Sequence, residues 1–109
     1  MQTNELLTNT LLELRRGVIV LAVLSQLSEE QYGYSLMKRL SDQGFEIDQG
    51  TLYPLLRRLE AQNLLTSTWK VEASRPRRYY IISPEGQKIF PQLKQEWANI
   101  VAMLNKLLA

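Results

Sequence analysis

Between Gly50 and Tyr80 the chain carries Arg57, Arg58, Lys70, Arg75, Arg77 and Arg78 against only Glu60 and Glu72. The remaining residues hold seven basic and nine acidic side chains, so a chain of formal charge +2 consists of one basic segment on a slightly acidic body. Such asymmetry suits a polyanion, although a solvated charged face accounts for the charge alone about equally well. Arginine adds geometry, because its planar fork pairs with a guanine edge or with a phosphate. The usual instruments of covalent chemistry are missing. There is no Cys and no His, which argues against thiolate chemistry, zinc sites and imidazole proton transfer. No glycine-rich phosphate loop is present and the acids are scattered over expected surfaces. The expectation is a binding protein without catalysis, cofactor or metal.

The cations need elements to hold them. Asn4 to about Leu27 reads as helix, with Leu7, Leu11, Leu14, Val18 and Leu21 on one face. Gly17 is a candidate break within it. Val18–Leu24 is nearly all apolar and should be central to the core. Ser28 and Gln31 have the spacing of a capping box, followed by a second helix from about Tyr32 to Gln43 that buries Leu36, Met37 and Leu40. Gly44 stands where a helix stop belongs. A turn through Phe45 and Ile47 leads to a third helix, capped by Asp48 or Thr51 and running to about Gln62. Its Leu52, Leu55, Leu56 and Leu59 fall at core spacing. Pro54 is expected in its first turn, and Asn63 is a left-handed cap at its far end.

Leu65–Val71 and Arg78–Ser83 read as an antiparallel hairpin with Glu72–Arg77 as its tip. Alternation directs Leu65, Trp69, Tyr80 and Ile82 to the core, and Lys70 and Arg78 away from it. Ser83-Pro84-Glu85 opens a last helix to about Leu108, which Pro91 should kink. Phe90, Leu93, Trp97, Ile100, Leu104 and Leu107 step by three and four, a short heptad seam. The first helix has the same stepping. The two helices could therefore pair within or between subunits, with Leu7, Leu11, Leu14, Leu93, Trp97, Ile100, Leu104 and Leu107 as the dimer set.

Two short helices joined by a tight turn can lay the second in a major groove about 12 Å wide. Leucines take one side of the third helix, which leaves Thr51, Tyr53, Arg57 and Arg58 for the other. A basic hairpin carrying Lys70, Arg75 and Arg77 can reach the flanking backbone or minor groove. Taken singly, each residue has a structural alternative: Arg57 could pair with Glu60, Tyr53 could cover the core edge, and Arg78 could bond across the hairpin. Their conjunction on the two elements a winged helix presents to DNA is harder to dismiss.

Three runs carry a family resemblance: Tyr32-Gly33-Tyr34-Ser35-Leu36, the segment Gly50-Thr51-Leu52-Tyr53-Pro54-Leu55-Leu56-Arg57-Arg58-Leu59-Glu60, and Arg75-Pro76-Arg77-Arg78-Tyr79-Tyr80. Together they resemble the PadR-like transcriptional regulators, over roughly Leu14 to Leu104. The resemblance implies a winged-helix homodimer on double-stranded operator DNA, usually a repressor, with the last helix used for dimerisation. It implies recognition by the third helix through Tyr53 and Arg57, wing contacts from Arg75 and Arg77, and backbone contacts from Tyr34 and Lys38. Some members respond to small aromatic compounds, which makes Trp97 a candidate effector residue. Two departures are Asn63, where the family usually has glycine, and Pro91.

The expected fold is mainly α with a small β-hairpin. Residues 1–83 form a winged helix-turn-helix and residues 84–109 a long dimerisation helix, as one compact unit. No apolar run is long enough to cross a bilayer and no signal peptide is visible, so a cytoplasmic location is expected. The competing reading is a winged-helix protein–protein module whose basic wing meets an acidic partner.

Overall fold

The computed structural model describes residues 2–109. Its elements run α1 (Thr3–Ser25), β1 (Gln31–Tyr32), α2 (Gly33–Asp42), α3 (Gln49–Ala61), β2 (Leu65–Glu72), β3 (Arg75–Ile82) and α4 (Pro84–Leu108). The sheet is antiparallel with the order β1-β3-β2. Helices dominate, and the small sheet packs at the far side of α3. This is the winged helix-turn-helix expected from the sequence. No helix among the described residues is long and apolar enough to cross a membrane.

One core joins the elements. Ile19, Val23 and Leu24 of α1 meet Leu36 and Leu40 of α2, and Leu52, Leu55, Leu56 and Leu59 of α3. Leu27, Leu65, Tyr80 and Ile82 close it. The four α3 leucines lie where their spacing placed them. On α1 the buried face is not the Leu7–Leu11–Leu14 stripe, whose members are exposed.

Helix ends explain the chain's course. Gly44 ends α2 at φ 88° and Asn63 follows α3 at φ 65°, both left-handed as read from the sequence. Ser83 caps α4: its Oγ accepts from the Gly86 amide at 2.9 Å and donates to the Asn63 carbonyl at 2.7 Å. A side chain on Gly86 would place its Cβ 2.4 Å from the Leu64 carbonyl oxygen, so only glycine lets α4 approach that loop.

Five expectations are corrected. Gly17 does not divide α1, which is one helix. Ser28 is not a cap: Gln31 and Tyr32 form a strand against Tyr80 and Tyr79, and α2 begins after them at Gly33. Two residues are too few for an alternation pattern to reveal. Pro54 lies in the second turn of α3, not the first, so the helix gives up the amide that would bond the Gly50 carbonyl. The hairpin tip is only Ala73-Ser74, with Glu72 paired to Arg75. Arg75, Pro76 and Arg77 therefore belong to β3. Finally, Trp69 is 63% exposed and Arg78 sits directly across from it. Both lie on the face that carries Tyr80, but on the part of the hairpin that overhangs the core. Across Pro91, α4 continues as one helix.

Candidate nucleic-acid interface

The turn between α2 and α3 is held from both sides. Arg15 of α1 donates to the Glu46 carbonyl at 2.7 Å, and its guanidinium lies 4.7 Å from the Phe45 ring centroid. Asp48 occupies the N-cap position of α3, and Thr51 donates its hydroxyl to the Asp48 carboxylate at 2.7 Å. That hydrogen bond holds the Asp48 carboxyl below its usual range. Thr51 is exposed, but its hydroxyl is thus already engaged.

Tyr53 fixes the angle between the two helices. A Cβ on Gly33 would stand 2.2 Å from its ring, so the ring rests directly on the glycine backbone at the start of α2. This accounts for the glycine between Tyr32 and Tyr34. Tyr53 is half-buried and packed against the core, with the rest of its ring open to solvent. Tyr34, next to Gly33 in sequence, is 59% exposed. Lys38 is exposed but reaches Asp42 at 3.4 Å, a weak pair one turn along α2.

Glu60 decides which arginines are free. Its carboxylate takes Arg78 Nη2 at 2.5 Å and the Ser67 hydroxyl at 2.5 Å, tying α3 to the hairpin. Ser67 in turn accepts from Arg78 Nε at 3.0 Å. The contact between Arg57 and Glu60 allowed by their spacing is not made. Arg57 and Arg58 project from the exposed side of α3, and neither forms an ion pair among the described residues.

The wing sorts its charges by face. Lys70, Glu72, Arg77 and Tyr79 share the side opposite Trp69. There Lys70 pairs with Glu30 at 3.1 Å and lies 4.8 Å from the Tyr79 ring. Arg77 pairs with Glu72 at 3.6 Å and lies 4.5 Å from the Tyr32 ring. The Tyr79 hydroxyl donates to Glu72, which raises its pKa. Tyr80, on the other face, has its pKa raised by burial. Arg75, next to the tip, has no ion-pair partner among the described residues.

Of the residues singled out from sequence, Tyr53, Arg57, Arg58 and Thr51 share the outer side of α3, with Tyr34 close by on α2. Lys70 stands apart, paired with Glu30, and Arg77 belongs to the Glu72 network while also bordering the cleft next to Arg57. Sequence reasoning missed Trp69 as a surface residue. Arg57, Trp69 and Arg78 line one cleft between α3 and the wing, with Tyr53 at its wall. The missed signal was the directly opposed pair Trp69 and Arg78, which cannot both be buried.

The dimer set also lies together. Leu14, Leu93, Trp97, Ile100 and Leu104 line an apolar groove of about 340 Å³ between α1 and α4. Trp97 is 41% exposed on it. Leu7 and Leu11 continue the surface along α1, and Leu107 along α4, all exposed.

The family model described as the transcriptional regulator PadR-like family matches residues 20–92. A transcriptional regulator of Mycobacterium tuberculosis is 40% identical over 76 residues, covering 69% of this chain and 71% of that protein. A crystal structure of a PadR family transcriptional regulator from Eggerthella lenta superposes with a TM-score of 0.87 at 45% identity, covering 96% of this chain and 94% of that one. A PadR-like transcriptional regulator from Bacillus cereus gives 0.75 at 33% identity, covering 88% and 96%. Because the family match spans the helix-turn-helix and the wing, the chain belongs to the PadR-like family of transcriptional regulators.

Proposed function

We propose that this regulator is a homodimeric repressor that binds operator DNA through α3 and the wing. The observation that carries the reading is the placement of Arg57 and Arg58, unpaired and outward on a helix whose other side is wholly buried leucine. A surface that satisfied itself would have used Glu60 for Arg57. Instead Glu60 holds the wing, leaving the arginines of α3 available for base edges or phosphates. Tyr53 and Tyr34 flank them, with Thr51 and Lys38 at the margins. Lys70, Arg75 and Arg77 give the wing a basic rim for the backbone. The protein–protein alternative has no comparable support, because an acidic partner would not need arginines on α3 and wing together.

In this reading α1 and α4 seal the dimer through Leu7, Leu11, Leu14, Leu93, Trp97, Ile100, Leu104 and Leu107. A planar aromatic effector would enter the α1/α4 groove against Trp97 and release the DNA. The groove's apolar walls and half-open indole support such a ligand by stacking. The plainer alternative has Trp97 filling the dimer core. The location expected for such a regulator is cytoplasmic.

Selection from a pool of random duplex DNA with the purified protein tests the DNA reading. A single enriched motif, arranged as two half-sites about one helical turn apart, is the expected outcome. No enrichment, at any salt concentration, overturns it. For the effector, Trp97 emission is isolated in a Trp69→Phe variant and titrated with planar aromatic compounds. Absence of quenching by every compound, with Trp97→Leu keeping dimer and DNA release, assigns Trp97 to the core.

A further inference from the structure

The wing's two faces differ in kind. One carries the closed polar network of Lys70, Glu72, Arg77 and Tyr79. The other carries Trp69 at 63% and Val71 at 75% exposure, with exposed Pro76 opposite Val71. Trp69 borders the core only across the cleft that holds Leu56 and Tyr80, and Val71 and Pro76 lie beyond it, so most of this stripe does little for the fold. Its cost in exposed hydrophobic area calls for an occupant.

Trp69 is also held in place. The Arg78 guanidinium lies 5.7 Å from its ring, and Arg78 is itself fixed by Glu60 and Ser67. Glu60 belongs to α3, so the same ion pair that orients the wing also orients the indole relative to Arg57. A large aromatic side chain presented rigidly to solvent loses little entropy when a surface docks on it. The cleft it lines is shared with Arg57, whereas Arg75, paired across from Glu72, lies on the other face of the hairpin.

From this we infer that the Trp69–Val71 face of the wing is a further DNA contact, an apolar plate that lies against the deoxyriboses of the backbone strand passing between α3 and the wing. The inference rests on the DNA-binding reading above and names a residue that reading does not use. Deoxyribose is the chemistry that fits. It is the apolar part of the duplex edge, repeats at every nucleotide, and alternates with phosphates that the unpaired Arg57 beside the indole attracts. The arginines that line the cleft with Trp69 single out nucleic acid over an apolar protein partner. Arg78 is then a positioning residue: it touches the indole and not the DNA.

A sugar contact and a phosphate contact differ in salt dependence. Neutralising a phosphate releases counterions and sets the slope of log affinity against log salt, whereas apolar burial does not. The test uses the full chain and a mixed-sequence duplex of roughly 30 base pairs, long enough for two half-sites one turn apart. Trp69→Ala is expected to weaken binding about tenfold with an unchanged slope, a loss in keeping with the apolar area uncovered. Trp69→Phe retains most of the affinity. Arg75→Ala, by contrast, lowers the slope by about one. In protein labelled with 5-fluorotryptophan, the resonance lost in Trp69→Phe should shift on adding duplex. Binding of wild-type strength by Trp69→Ala with that resonance unmoved overturns the contact while leaving DNA binding intact. A lowered slope in Trp69→Ala also overturns it, since the indole would then act by holding charge. Failure of the wild type to bind any duplex at low salt overturns the DNA reading itself, and this inference with it.

Discussion

At the scale of single residues, the proposed interface is decided by which cations already have a partner. Among the described residues Arg75 has no ion-pair partner, whereas Arg77 is shared between Glu72 and the Tyr32 ring. Both were equivalent in the sequence, as two arginines around a proline. The structure makes them different, and the difference is measurable. Arg75→Ala should lower the salt slope of duplex binding by about one. Arg77→Ala should lower it by distinctly less, because its guanidinium must leave a carboxylate to reach a phosphate. Equal losses in the two variants would show that the Arg77–Glu72 pair opens on DNA. Arg57 is a different case, standing on the exposed face of α3 where base edges are read. Arg57→Ala is expected to cost about 1–3 kcal/mol against a selected operator and little against random duplex. A uniform loss on both would assign Arg57 to the backbone instead.

Elements carry the next level of argument, and the hairpin is the instructive one. Its two-residue turn has Ala73 at φ 49° and Ser74 at φ 67°, the left-handed pair demanded by a tight hairpin but filled with neither Asn nor Gly. Ser74→Gly should therefore raise stability by about 1 kcal/mol, seen as a higher midpoint in chemical denaturation with unchanged slope. An unchanged or lowered midpoint would mean that the turn is not strained as drawn. The same geometry explains what the sequence concealed. Pro76 reads as a turn former, yet it lies in β3. The pair closing a two-residue turn is hydrogen-bonded, so the next pair, Val71 with Pro76, is not. The proline nitrogen faces away from β2, at a level β1 does not reach, and no ladder bond is lost. Moving the tip from Glu72–Arg77 to Ala73-Ser74 brought Arg75 and Arg77 into the strand, where their neighbours could be assigned. Helices were more legible, since Leu52, Leu55, Leu56 and Leu59 repeat over several turns and Gly44, Asn63 and Ser83 mark ends by mechanism. The two-residue β1 had no pattern to show. Its existence depends on Tyr79 and Tyr80 far along the chain, as does the choice of Glu60 between Arg57 and Arg78.

On the scale of the whole molecule, the single chain is more open than its length requires. Its radius of gyration is 16.0 Å, whereas a compact domain of this length has about 13 Å. It exposes 7748 Å², against about 6,200 Å² for a globular chain of this mass. The excess is localised. Leu6, Leu7, Leu11, Leu12 and Leu14 of α1 are 47–71% exposed, and Leu104, Leu107 and Leu108 of α4 are 40–80% exposed. Exposed leucines clustered on two neighbouring helices suit one side of a homodimer interface. The α1/α4 groove shares no residue with the cleft between α3 and the wing, so both could be occupied at once. Leu104→Glu places a charge in the α1/α4 groove without touching the core of the winged helix. The expected result is a halved mass by light scattering at micromolar concentration, with an unchanged far-ultraviolet helix signal. Operator affinity should fall with it, by about a hundredfold or more, because each monomer then binds one half-site without the effective concentration supplied by its partner. Gln95→Glu, a charge on the same helix outside the groove lining, should leave both properties unchanged. A wild type that is monomeric and still binds its operator tightly would refute the dimer, and the exposed leucines would then need another partner.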